Sequence, residues 1–290
     1  MIIVGGTSTN GVDGRLSKLT GYPLVKVESK LFPDGESYIR IPASLDGEEV
    51  VLVQTTQPPQ NKNLLELLLT LEAIRDMGAT KITAVVPYLA YLRQDRRFTD
   101  GEALSAKTIL NLIHAAGANT LVVVEPHHRE SMDYFPGEVR IVDPIPSLAR
   151  EARKRVERPF VLAPDRGALE RAERLAKELE TNFSFLEKER DRKTGEVRIR
   201  QADIPPLNGY DVILVDDIIS TGGTLAEASR IAYSSGARSV ISVAVHLLLV
   251  RDAMNRLREA GIREVIGTNT VVPEERVTLV DVSDQIAVRL

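Results

Sequence analysis

Residues 212–225 read VILVDDIISTGGTL, an order of residue types that suits an anion site at the end of a strand. Three of the four residues in 212–215 are β-branched, as expected for a strand buried on both faces of a parallel sheet. Asp216 and Asp217 stand where that strand is expected to end. Ligands of open α/β sheets bind beyond the carboxyl ends of the strands, so both carboxylates should face a crevice. Ser220, Thr221, Gly222, Gly223 and Thr224 follow. The glycines let backbone N–H groups come close to an anion, the hydroxyls add donors, and a following helix contributes its positive end. Carboxylates beside such a cradle would repel a bare phosphate; they suit sugar hydroxyls, or a Mg2+ ion carried with the ligand. The expected ligand is a phosphorylated sugar. The plainer alternative is an ordinary glycine-rich turn from strand to helix.

Other loops at expected strand ends carry related chemistry. Arg93, Gln94, Asp95, Arg96 and Arg97 are consecutive, and guanidinium groups pair bidentately with phosphate oxygens, so this cluster could seat a polyphosphate. A solvated charged loop would have the same composition. His127 and His128, in EPHHRES, are candidates for metal or phosphate contact, with a structural role as the alternative. Asp165, in APDRGA, precedes a glycine that opens a helix; it could bridge to a metal or cap that helix. FPDGE at 32–36 is a turn signal ahead of an alternating strand. Residues 186–200 hold four Arg, two Lys and three Glu around Lys-Thr-Gly. Such a two-stranded arm has little apolar cover and is expected to be mobile, able to close over charge that develops in phosphoryl transfer.

The elements that must position these residues recur along the chain. GATKITAVVP (78–87), GANTLVVVEP (117–126) and GARSVISVAV (236–245) each place Gly-Ala before a β-branched run. Helix-like segments at 63–77, 105–116 and 224–235 precede them, so each glycine reads as a helix stop and each run as the next strand. Further strands are expected at 49–54, 159–163, 182–187 and 264–268. Strands alternating with helices define an α/β class with parallel sheets. At 290 residues the chain has room for two domains with their own cores. VDPIPS at 142–147 is the expected crossover, giving domains at 1–143 and 144–290.

Lys and Arg number 37 against 41 Asp and Glu, a net charge of −4, so no nucleic-acid partner is expected and any anion site must be local. The chain has no cysteine, which excludes disulfides, thiolate catalysis and cysteine-held metals. No apolar run approaches the ~18 residues of a membrane span, so a cytoplasmic protein without membrane contact is expected.

Taken in order, FPDGE, PYLAYLRQDRRF, the His127 region, PDRG, Lys188-Glu189-Arg190 and VDDIISTGGT resemble the ribose-phosphate pyrophosphokinase family, most closely its archaeal members, over nearly the whole chain. The resemblance implies two similar phosphoribosyltransferase-like domains, each a mainly parallel sheet flanked by helices. It implies transfer of the diphosphate of MgATP to the 1-hydroxyl of ribose 5-phosphate, releasing AMP and 5-phosphoribosyl 1-diphosphate (PRPP). Matched motif by motif, Asp216 and Asp217 meet ribose hydroxyls, while Ser220, Thr221, Gly222, Gly223 and Thr224 hold the 5-phosphate. Phe32, Asp34, Gly35 and Glu36 match an adenine-contacting loop that in relatives reaches a neighbouring subunit's ATP site, which implies a homo-oligomer. Arg93 and Gln94, assisted by Arg96, match the ATP-binding residues, His127 and Asp165 the Mg2+-associated ones, and Lys188 and Arg190 the catalytic arm. The family commonly has Asp-Leu before the histidine, where this chain has Glu125-Pro126, and many relatives carry Asp in place of Ser220. Two rival readings are a PRPP-consuming phosphoribosyltransferase, which would need one such domain and a hood, and an inactive regulatory homologue, which should have lost the arm or the cradle.

Overall fold

The computed structural model describes residues 1–190, 197–200 and 204–290, the side chains of 188–190 and 197–200 excepted. The chain divides into two compact units. One comprises Met1–Asp143 with Val282–Leu290, the other Pro144–Asp281.

In the first unit β1 (Ile2–Gly5), α1 (Val12–Thr20), β2 (Leu24–Lys26), β3 (Glu28–Leu31), β4 (Ser37–Arg40), β5 (Glu49–Val53), α2 (Gln60–Asp76), β6 (Lys81–Val86), α3 (Ser105–Ala115), β7 (Thr120–Val124) and β8 (Glu138–Val142) follow in order. The main sheet runs β2-β1-β5-β6-β7-β8 with parallel neighbours. Its central strands are buried along nearly their whole length, which is why they read as continuous apolar runs. Leu64, Leu67, Leu71 and Ile74 place a stripe of α2 in this core, at the spacing that keeps one helix face together. β3 and β4 form a separate antiparallel hairpin.

The second unit holds α4 (Ile145–Arg153), β9 (Pro159–Ala163), α5 (Leu169–Leu179), β10 (Phe183–Phe185), β11 (Glu187–Arg190), β12 (Val197–Arg200), β13 (Asp211–Ile219), α6 (Gly223–Ser234), β14 (Ser239–Leu247), α7 (Ala253–Glu259), β15 (Ile262–Thr268) and β16 (Thr278–Val280). Its sheet runs β10-β9-β13-β14-β15-β16, again with parallel neighbours, while β11 and β12 pair antiparallel as the expected ribbon. Gly78, Gly117 and Gly236 have φ of 88°, 129° and 97°. This is the left-handed side where a helix stop favours glycine.

Two boundaries differ from expectation. The second unit was expected to run to 290, but Val282–Leu290 belongs to the first. There α8 (Ser283–Ala287) packs against α1. Val282 and Ile286 are fully buried, and Arg140 Nη1 donates to the main-chain oxygens of Arg289 at 2.7 Å and Leu290 at 2.8 Å. These few apolar residues and one cation pull the tail back across a long sequence separation. The second difference is that β13 does not end before the acids. It continues to Ile219 because β14 pairs with it as far as Ile219↔Leu247.

Candidate active site

That extended strand creates the site in the second unit. On its other side β13 pairs with β9 only as far as Leu214↔Leu162. Beyond that point no strand among the described residues pairs with this edge of β13, and Asp216 and Asp217 lie on the open stretch. Asp165 stands just past the end of β9, where its Oδ1 accepts from the Gly167 N–H at 3.0 Å. The capping role weighed for it is therefore real. Arg171, in the first turn of α5, is 8% exposed. Its Nη1 donates to the Gly167 carbonyl at 3.2 Å, and its Nη2 lies 3.9 Å from Asp217 Oδ2. One buried guanidinium thus ties the Asp165 loop to the acid pair. The Asp217 N–H donates to Asp216 Oδ1 at 2.9 Å. Burial, followed by the Asp217 and Asp165 carboxylates, pushes the Asp216 carboxyl well above the usual carboxylate range.

The loop after β13 turns through Gly222, whose φ of 72° is left-handed. A Cβ there would lie 3.1 Å from Leu257 Cγ and Cδ2 and 3.3 Å from the Ala253 carbonyl, so both conformation and space call for glycine. Residue 223 opens α6, whose first turn carries no acidic residue. The first N–H groups of a helix have no partner within it and face any anion at that end with a favourable dipole. Ser220, Thr221, Gly222, Gly223 and Thr224 are thus gathered at the N-terminus of α6, beside Asp216 and Asp217. The side chains of Lys188 and Arg190 lie outside the described residues. At the foot of their ribbon Glu187 Oε1 is 3.6 Å from Arg166 Nη2.

In the first unit the loop between β6 and α3 is folded around Glu102. Its carboxylate accepts from the N–H groups of Phe98 at 2.7 Å and Thr99 at 3.2 Å, and from Gln94 Nε2 at 3.4 Å. Arg93 and Arg96 are exposed on this loop. The loop after β7 meets it: Tyr134 donates to the Asp95 carbonyl at 3.3 Å, and His128 Nε2 is 4.0 Å from Asp95 Oδ2. His127 packs on His128 with ring centroids 4.5 Å apart. Phe32, Asp34, Gly35 and Glu36 form the tip of the β3–β4 hairpin. The Phe32 N–H donates to the Glu36 carbonyl at 2.8 Å, and the Glu36 N–H to Asp34 Oδ1 at 3.2 Å. No hydrogen bond or ion pair among the described residues joins this tip to residues 93–97. The hairpin is fixed instead right beside its turn, where Ser37, the cross-strand partner of Leu31, donates to Glu66 on α2 at 2.8 Å. Glu66 is 1% exposed and also accepts from Thr7 at 2.5 Å and Lys62 at 2.8 Å.

Residues 1–117 match the family described as the N-terminal domain of ribose phosphate pyrophosphokinase, and residues 140–271 match the phosphoribosyl transferase domain. The ribose-phosphate pyrophosphokinase of Saccharolobus solfataricus is 58% identical over 291 residues, covering 100% of both chains, and that of Sulfurisphaera tokodaii 59% identical over 288 residues, covering 99% of both. The chain belongs to the ribose-phosphate pyrophosphokinase family. A crystal structure of phosphoribosylpyrophosphate synthetase from Mycobacterium smegmatis, 29% identical, matches with a TM-score of 0.90 over 99% of this chain and 96% of that one.

Against that family background, sequence reading had passed over three side chains. Arg171 looks like one more charge in LERAERLAKELE, yet it falls on the buried stripe with Ala168, Ala172 and Leu175. Glu66 likewise sits on the stripe made by Asn63, Leu67 and Thr70. A charge at helical spacing within a stripe of otherwise uncharged residues was the available signal in both cases. Glu102 gave none, because its partners, the Phe98 and Thr99 N–H groups and the Gln94 amide, belong to an irregular loop.

Among the described residues no group of three or more His, Asp or Glu could hold a metal unaided. Among the described residues no helix is long and apolar enough to cross a membrane.

Proposed function

We propose that the protein transfers the diphosphate group of MgATP to the 1-hydroxyl of ribose 5-phosphate, giving PRPP and AMP. The observation that carries this reading is the Asp216-Asp217 pair on the open edge of β13, beside a cradle whose helix has no acid in its first turn. Carboxylates accept from ribose hydroxyls while the cradle N–H groups donate to the 5-phosphate, so one substrate is held by its two chemically distinct ends.

The 1-oxygen attacks the β-phosphorus of ATP in line. The bond from that phosphorus to the α–β bridging oxygen breaks, the bridging oxygen leaves with AMP, and the hydroxyl proton is released. Catalysis of such a step consists mostly of positioning and of neutralising spread charge. Lys188 and Arg190 neutralise charge on the transferred group. Arg93, Gln94 and Arg96 bind the nucleotide's phosphates, and Phe32, Asp34, Gly35 and Glu36 contact its base. Asp165 in the second unit and His127 in the first would each be a Mg2+-associated residue of its own unit, and Mg2+ would supply offset of phosphate charge. Tyr38 at 38% exposed, Phe32 at 40% and Leu31 at 55% leave apolar surface on the hairpin in contact with solvent. This supports a homo-oligomer in which the tip completes a neighbour's ATP site. The lack of cysteine suits a cytoplasmic setting.

The test is an assay of protein, Mg2+, ATP and ribose 5-phosphate for AMP and PRPP. AMP formed only when the sugar phosphate is present is the expected result. Absence of AMP with base-dependent consumption of PRPP would make the protein a phosphoribosyltransferase instead.

A further inference from the structure

The cradle can present its N–H groups to an anion only if its carbonyls are engaged elsewhere, since both belong to the same peptide planes. Each carbonyl from 219 to 222 has a partner. The Ile219 carbonyl accepts from Leu248 and Leu249 N–H, both at 3.0 Å, and the Ser220 carbonyl from Val250 N–H at 3.0 Å. The Gly222 carbonyl accepts from Ala226 N–H inside the helix at 2.9 Å. The Thr221 carbonyl, at the apex, is reached by a side chain: Arg256 Nη1 on α7 donates to it at 2.8 Å. Three of these four carbonyls are thus held by one short segment, residues 248–256. That segment accepts backbone strain to do so, with Leu249 at φ 43° and Arg251 at φ 59°, a region non-glycine residues avoid. The same α7 supplies Leu257 and Ala253 beneath Gly222.

Arg256 is exposed, and among the described residues it forms no ion pair. Fixing a long exposed side chain on one neutral carbonyl costs rotamer entropy comparable with what the bond returns. Fold stability therefore does not account for its placement.

We propose that Arg256 is a positioning residue for the phosphate cradle. It holds the Thr221 carbonyl outward, so that the neighbouring N–H groups point at the 5-phosphate, and it sets affinity for the sugar phosphate rather than the rate of transfer. This rests on the reading of the cradle given above.

The test uses the full-length enzyme with Arg256→Ala, Arg256→Lys and, as a control on the same helix, Arg258→Ala. For Arg256→Ala the KM for ribose 5-phosphate should rise about tenfold, the effect of losing one such hydrogen bond to a charged donor. kcat and the KM for ATP should stay within about twofold by the same reasoning. Arg256→Lys, which keeps a donor of similar reach, should recover part of the loss, and Arg258→Ala should match wild type. The penalty should persist in about 1 M KCl, where the Debye length is about 3 Å and long-range attraction is screened. Thermal unfolding of Arg256→Ala should match wild type. An unchanged KM for the sugar phosphate, a kcat that falls in parallel, or a penalty that vanishes at high salt would each overturn the proposal. Wild-type AMP formation is measured in the same experiment, so failure here is separable from failure of the proposed reaction.

Discussion

Replacing Gly222 by alanine tests the cradle at its tightest point. The change has two separable costs. At φ 72° an L-residue meets the left-handed penalty of about 1–2 kcal/mol. The added Cβ would lie 3.1 Å from Leu257 and 3.3 Å from the Ala253 carbonyl. Leu257 and Ala253 are fully buried and cannot move aside cheaply, so overpacking adds about 1–3 kcal/mol. The variant should therefore lose about 2–5 kcal/mol in urea unfolding, read from the midpoint with an unchanged slope. Relief of the clash would push the loop off α7 and misdirect its N–H groups. One lost hydrogen bond to a charged phosphate then weakens ribose 5-phosphate binding about tenfold or more, measured by titration calorimetry. Gly14 in α1 provides the contrast: a Cβ there meets nothing within 4 Å, so Gly14→Ala should stabilise by about 0.5–1 kcal/mol. A Gly222→Ala protein as stable as wild type and with unaltered affinity for the sugar phosphate would refute the packing argument.

Lys188→Ala should lower kcat by orders of magnitude while calorimetry still finds ribose 5-phosphate bound; an unimpaired turnover number would remove the arm from the mechanism. Glu66→Gln should raise the KM for ATP severalfold and leave that for ribose 5-phosphate unchanged, because the carboxylate that anchors Ser37 becomes an amide facing donors on three sides; equal effects on both constants would count against it. Asp211 tests pH dependence. Its burial alone would raise its pKa, but hydrogen bonds from Arg238, Ser239 and the N–H groups of Glu157 and Arg158 hold the carboxyl well below the usual range. A carboxyl depressed in the folded state stabilises the fold above its unfolded pKa of about 3.9, and that contribution is lost as pH falls toward the folded value. Asp211→Asn should therefore cost about 1–3 kcal/mol near neutrality, with the gap to wild type closing in urea melts below about pH 4. A gap independent of pH would show that the carboxylate's charge is not what stabilises.

The glycines at 78, 117 and 236 announced their helix ends because a left-handed residue is a local requirement, satisfied or not within three or four residues. The apolar runs announced buried strands for a similar reason. What remained hidden depends on distant partners. The end of β13 is set by how far β14 runs beside it and where β9 stops, so 212–215 looked like the whole strand. The return of Val282–Leu290 depends on α1 and Arg140, far earlier in the chain. In the candidate site, the acids and the glycine loop were legible as chemistry. Arg171 and Arg256 were not, since each acts on a backbone carbonyl whose position only the fold determines.

The two units repeat one device and use it differently. In the first, β1 leads through Gly11 at φ 78° into α1, as β13 leads through Gly222 at φ 72° into α6. The conformation of the capping glycine is nearly the same, yet α1 carries Asp13 in its first turn, fully buried and paired with Lys26. A carboxylate fixed at a helix N-terminus takes up the dipole's attraction for anions and repels a phosphate. α6 has no such residue, and its acids stand instead on the strand, at the far end of the loop from the helix. Moving the carboxylates from helix to strand turns a self-neutralised helix start into one that needs an anion from outside. This difference supports the proposal that the second unit takes the sugar phosphate and that the first unit's exposed arginines at 93 and 96, on a separate loop, serve the nucleotide.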